Sequence, residues 1–155
     1  MDDLSVAKYR LSLVKEGSLA FGEEPITYSA QSVKYIEPIF EGIDREQFVV
    51  LCLDGQNKPI GINVVSIGSV SGAIVHPREV FKPAILANAV GLICFHNHPS
   101  GDPTPSVDDL EITERLVKAG DLIGINIIDH IILGDNCYKS LQAMGHIDVD
   151  VSLNR

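Results

Sequence analysis

Between Gly91 and Asp109 the chain carries two histidines, a serine and a carboxylate across a stretch that cannot be one continuous element, and this constrains the fold more than any other feature. Gly91-Leu92-Ile93-Cys94-Phe95 is an apolar run opened by glycine, the pattern of a short buried strand, and it leads directly into His96-Asn97-His98. Alternate side chains of a strand share a face, so His96 and His98 point one way and Asn97 the other. The segment Pro99-Ser100-Gly101-Asp102-Pro103-Thr104-Pro105 is too rich in proline for helix and reads as a rigid polar loop. Helix then starts near Ser106, with Val107, Leu110, Leu116 and Val117 as its apolar face up to Ala119, and with Gly120 placed to close it. Strand, loop and helix in that order bring Asp109, on the first helical turn, back over the strand end.

That arrangement suits a metal. Two imidazoles on one strand face can converge on an ion at roughly 2.0 to 2.1 Å, the usual zinc to nitrogen distance, and Asp109 supplies a third ligand. Three protein ligands with one open position is the pattern of catalytic zinc, whereas structural sites take four ligands and lean on cysteine. Taken alone, each half has a plainer explanation. Ser106-Val107-Asp108-Asp109 also fits a capping box, and a single His-x-His can be two hydrogen-bonded structural histidines. Their occurrence together, across a proline-rich loop, favours the metal. The string His96-Asn97-His98 is not the motif of the HNH nucleases, whose three residues are spread over a longer hairpin and helix.

His96-Asn97-His98, then seven residues, Ser106, two residues and Asp109 resembles the JAMM motif of the JAB/MPN metalloproteases. The stretches Val75-His76-Pro77-Arg78-Glu79-Val80, Ala84-Ile85-Leu86-Ala87-Asn88-Ala89, His96 to Ser106 and Leu122 to Leu133 resemble the bacterial RadC-like branch, over about residues 30 to 146. The resemblance implies an α/β fold of cytidine-deaminase-like, three-layer α/β/α type with a mixed sheet. It implies one zinc ion held by His96, His98 and Asp109, with Ser106 helping to stabilise the tetrahedral intermediate of amide hydrolysis. It further implies an upstream glutamate as general acid and base, and a peptide or protein substrate. Glu46, in Arg45-Glu46-Gln47-Phe48 just ahead of an apolar strand, is the candidate, with Glu37, Glu41 and Glu79 as the other acids available upstream. A metal-stabilised binding module with little turnover is the alternative that MPN domains leave open.

Composition bounds partners and compartment. With 155 residues, 45% of them apolar, the chain can bury a proper core as one domain. The expected organisation is an edge strand and loop over residues 1 to 29, the RadC-like domain over 30 to 146 and a tail over 147 to 155. No run approaches a membrane span, and Met1-Asp2-Asp3-Leu4 lacks the basic start and apolar centre of a signal peptide, so a cytoplasmic location is expected. Twelve Lys and Arg stand against 21 Asp and Glu, a net charge of −9 that is wrong for neutralising phosphates. Longer RadC-like proteins carry a helix-hairpin-helix region, and nothing before residue 30 resembles one, so no nucleic-acid partner is expected. Cys52, Cys94 and Cys137 are scattered and odd in number, which predicts buried reduced thiols, with Cys94 packing beneath the ligands.

Elsewhere the pattern predicts an edge strand at Tyr9 to Leu13, a loop from Glu16 to Pro25, and a helix capped by Ser29 with Val33 and Ile36 inward and Pro38 kinking or ending it. Strands follow at Phe48 to Asp54 and Ile60 to Ile67 around Gly55-Gln56-Asn57, with another at Ser71 to Val75. Pro77 opens a helix running to about Ala89, with Pro83 as a kink. Ile125 to Leu133 and Tyr138 to Leu141 form a hairpin around Gly134-Asp135-Asn136. Asp129 and His130, polar in an apolar strand, need partners. These are either structural hydrogen bonds or a hold on a ligating imidazole. His76 reads as a helix-start residue rather than a ligand, and His146 has no assigned role.

Overall fold

The structure, a computed structural model, describes residues 3 to 68 and 75 to 148. Five strands form one mixed sheet: β1 (Gln47–Leu53), β2 (Pro59–Ile67), β3 (Gly91–Asn97), β4 (Asn126–Leu133) and β5 (Tyr138–Ser140), in the order β2-β1-β3-β4-β5. β1 is antiparallel to β2 and β3, β3 is parallel to β4, and β4 returns antiparallel as β5. The helices are α1 (Val33–Phe40), entered through a 3-10 turn over Ser29–Ser32, then α2 (Pro77–Leu86) and α3 (Val107–Ile123). No helix among the described residues is long and apolar enough to cross a membrane.

Alternation along the strands sorts the core into two halves. Val49, Leu51, Leu53, Ile93, Phe95, Ile131 and Leu133 face one way and pack on Val33 and Ile36 of α1. Phe48, Val50, Cys52, Leu92, Cys94 and Ile132 face the other, against Val80, Phe81 and Ala84 of α2 and Leu116 of α3. The central strands β1 and β3 are buried along their full length because helices cover both faces. This is the expected α/β/α sandwich. Its consequence for the site is that His96 and its strand neighbours share a face with α3.

Several local expectations need correction. Tyr9 to Leu13 forms no strand, and Tyr9, Leu11 and Leu13 are exposed, because alternation stabilises a strand only where a ladder accepts it. Ser29 is not the helix cap. Its hydroxyl donates instead to Asp129, while α1 runs through Pro38 to Phe40. The last turn of α2 contains Pro83, and the helix stops at Leu86 rather than Ala89. α3 passes Gly120 and ends at Gly124, whose φ of 84° is the left-handed closure that glycine adopts at little cost. Gly120 is there for closeness, since a Cβ would lie 2.4 Å from the Ile125 carbonyl oxygen. Val107, expected inward, is exposed, and Thr113 takes a buried place on α3. The strand expected at Ser71 to Val75 lies outside the described residues except for Val75, which is in no strand.

Asp129 resolves its own question. It is fully buried on the α1 side, where Oδ2 accepts from Ser29 Oγ (2.5 Å) and Ser140 Oγ (2.6 Å), and Oδ1 from the backbone N–H of His130 (2.7 Å) and Gln142 (3.0 Å). One carboxylate thereby staples the segment before α1 and the turn after β5 to β4. Asp129→Ala strands these donors, and at about 1–3 kcal/mol per buried polar group left unpaired the expected loss is roughly 3 kcal/mol. Urea denaturation checks it. A midpoint unchanged from wild type would show that the staple carries no weight.

Candidate metal centre

The site forms where β3 ends against the start of α3. His96 Nε2 lies 3.0 Å from His98 Nε2 and 3.2 Å from Asp109 Oδ1, and His98 Nε2 lies 3.1 Å from Asp109 Oδ2. Ligands about 2.0–2.1 Å from a tetrahedral zinc stand roughly 3.3 Å apart, so these separations are close to the edges of such a site. Among the described residues this trio is the group of His, Cys, Asp and Glu side chains whose donor atoms converge closely enough to hold an ion. Asn97 points away as expected, with its side chain bound to Gln47 N–H and the Arg45 carbonyl, which ties the strand end to the segment leading into β1.

The capping box and the ligand reading of Asp109 coexist. Ser106 Oγ accepts the Asp109 N–H at 3.1 Å, and Asp109 Oδ2 accepts the Ser106 N–H at 2.8 Å. The cap fixes the carboxylate rotamer, so Oδ1 is turned to His96 and Oδ2 to His98. Burial pushes the Asp109 carboxyl up, but the two imidazoles beside it outweigh that and hold it well below the usual carboxylate range. His98 is shifted the opposite way. Its bond to Asp109 favours the imidazolium and outweighs desolvation, aided by the Asp102 carbonyl on Nδ1 at 2.8 Å. Three Lewis bases packed this tightly need either protons or a cation between them. The donor set, two imidazoles and one carboxylate, is chemistry that zinc accepts.

A cleft of about 670 Å³ opens over the trio, lined by Glu46, Phe48, Ser106, Ile112 and Arg115 among others. Glu46 thus borders the same cleft as the three candidate ligands, immediately before β1. Phe48, which opposes His96 in register, stacks on its ring with centroids 6.1 Å apart. Glu37, Glu41 and Glu79 do not line the cleft, and Glu79 pairs with Lys82.

The thiols take no part in the trio. Burial pushes Cys52 up to about 11 and Cys94 further still, so neither offers a thiolate at neutral pH. Cys137 is exposed rather than buried as expected, on the turn before β5. His76 caps α2 only through its carbonyl, which accepts from Glu79 and Val80 N–H. Behind the trio, His130 Nε2 lies 2.7 Å from His96 Nδ1, so of the two polar residues in β4 it is His130 that touches a candidate ligand. Thr113, which meets His130, escaped the sequence reading. Its place four residues after Asp109, one helical turn along the same face, was the available signal.

A sequence model of the RadC-like JAB domain matches residues 26–146. The chain belongs to that family. This JAB domain is 44% identical over 138 residues to a UPF0758 protein of Bacillus cereus, an alignment covering 89% of the chain and 58% of the relative. A UPF0758 protein of Halalkalibacterium halodurans is 51% identical over 105 residues, covering 68% and 45% respectively. The JAB domain therefore spans about half the length of the curated relatives it matches.

Proposed function

We propose that this JAB domain is a zinc-dependent hydrolase of peptide or isopeptide bonds. The observation that carries the reading is the convergence of His96, His98 and Asp109 at the floor of a cleft that Glu46 also lines. Zinc bound there supplies a polarised scissile carbonyl and a water whose pKa falls to about 7. Glu46 takes the proton that the attacking water gives up and returns it to the departing amine, so one carboxylate serves as base and then acid. Ser106, already fixed by its bond to the Asp109 N–H, keeps its hydroxyl hydrogen for the oxyanion of the tetrahedral intermediate. Ile112, half-buried on the cleft wall, gives an extended chain an apolar surface to lie against.

Profiling zinc-loaded protein against a peptide library and isopeptide-linked substrates tests the reading. Cleavage that disappears in His98→Ala supports it, and stoichiometric zinc without turnover on any amide overturns it in favour of a metal-stabilised binding module. The substrate is a peptide or protein, the location cytoplasmic, and the partner not a nucleic acid. The net charge of −9 supports that last point, because duplex affinity rests on basic residues releasing counterions. Anisotropy titration of labelled duplex DNA is expected to give no binding at moderate ionic strength. Tight binding that weakens steeply with added salt would contradict it.

A further inference from the structure

Beneath His96 a chain of three hydrogen bonds runs through buried groups and ends on the backbone of another candidate ligand. His96 Nδ1 meets His130 Nε2 at 2.7 Å, His130 Nδ1 meets Thr113 Oγ1 at 2.6 Å, and Thr113 Oγ1 meets the Asp109 carbonyl oxygen at 2.6 Å. All three side chains are nearly inaccessible, at 4%, 0% and 1% exposure, so water cannot supply alternative partners. We propose that Thr113 and His130 are positioning residues that lock His96 in the tautomer protonated on Nδ1, leaving the Nε2 lone pair aimed at the metal.

The direction of the chain follows from counting protons. A carbonyl oxygen only accepts, so the hydroxyl hydrogen of Thr113 is committed to Asp109, since two oxygens at 2.6 Å with no proton between them repel. Thr113 Oγ1 then faces His130 as an acceptor, and His130 Nδ1 must carry the hydrogen. His130 is fully buried and neither of its ring nitrogens meets a carboxylate, so a charge there would be uncompensated and the ring is neutral with a single N–H. Its Nε2 is then an acceptor and the hydrogen between the two rings belongs to His96 Nδ1. The reverse polarity would put the His96 proton on Nε2, facing the ion. His98 reaches the same tautomer by a shorter route, because its Nδ1 has a carbonyl, Asp102 O, as partner at 2.8 Å. The backbone thus fixes one ligand directly and the other through two side chains on β4 and α3. Because the longer chain closes on Asp109, it also ties the position of β3 to the helix turn that carries the carboxylate.

The proposal rests on the reading of His96, His98 and Asp109 as ligands and does not depend on hydrolysis. Its test uses Thr113→Val, which keeps the shape and removes the acceptor, and Thr113→Ser, which restores it. In metal-free protein at about pH 8, above the ordinary imidazole range, imidazole 15N shifts report which nitrogens of His96 and His130 carry hydrogen. Competition against a chelator reports zinc or cobalt(II) affinity. Wild type and Thr113→Ser are expected to show hydrogen on the Nδ1 of both His96 and His130, with His130 Nε2 bare. Thr113→Val is expected to populate both tautomers and to bind either ion about 10–100-fold more weakly, the usual effect of losing an outer partner. A Thr113→Val protein with wild-type tautomers and affinity overturns the relay, as does hydrogen on His130 Nε2 in the wild type. A wild type that shows the Nδ1 tautomer yet binds no divalent ion overturns the ligand assignment and the purpose given to the relay, and the spectrum separates that failure from a fault in the relay itself.

Discussion

His98→Ala is expected to abolish stoichiometric metal binding. Protein prepared without chelator should carry close to one zinc per chain by elemental analysis, and the variant essentially none. The reason is geometric. His98 Nε2 stands 3.0 Å from His96 Nε2 and 3.1 Å from Asp109 Oδ2, so its removal leaves only two donors, His96 Nε2 and Asp109 Oδ1 at 3.2 Å, where an ion needs three from the protein. The loss should exceed the roughly 10–100-fold typical of an outer partner. Acid should act in the same direction as the mutation. The carboxylate beside His98 raises its pKa above that of an ordinary imidazole, and the metal needs the unprotonated nitrogen. Protons therefore compete from a pH above roughly 6.5 downward, and affinity falls as the pH is lowered through that range. Wild-type zinc content in His98→Ala, or an affinity that improves on acidification, would remove His98 from the ligand set.

How far the sequence anticipates this site depends on whether a signal is local. His96, His98 and Asp109 are legible because strand alternation and a helix start fix their directions within a short stretch, and the loop between them has proline enough to exclude a continuous helix. The strands β1 to β5 and all three helices follow from period and punctuation, to within a few residues. Long-range pairing is where legibility ends. Gly120 looks like a helix terminator until the Ile125 carbonyl comes close enough to exclude a side chain there, which only the packed structure reveals. Tyr9 to Leu13 has the alternation of a strand but no ladder receives it. Thr113 looks like an ordinary helix residue, and it becomes meaningful only once β4 brings His130 against it. Asp129 and His130 are adjacent in sequence yet serve opposite faces of the sheet, one stapling the α1 layer and the other backing the metal trio.

Glu46→Gln is the substitution that separates binding the ion from using it. Glu46 lines the cleft immediately before β1, while the candidate ligands come from the end of β3, the residue after it and α3, so its replacement leaves the donor set intact. Glutamine keeps the length and a hydrogen-bonding carbonyl but cannot take up a proton in the relevant range. If the carboxylate carries the proton from water to the leaving amine, turnover on an amide or isopeptide substrate falls by roughly 100 to 10,000-fold with zinc content unchanged. The size of the effect matters because two simpler roles predict less. A residue that only borders the cleft would alter KM more than kcat. One that only contributes negative charge near His98 would instead change metal affinity, since Glu46 is among the charges that favour its protonated form. Loss in kcat at constant zinc occupancy therefore identifies a proton carrier. If kcat survives in Glu46→Gln and collapses on replacing Glu37, Glu41 or Glu79, the base comes from an acid outside the cleft wall, and the element that carries it, α1 with its C-terminal end or α2, has to move for the chemistry to occur.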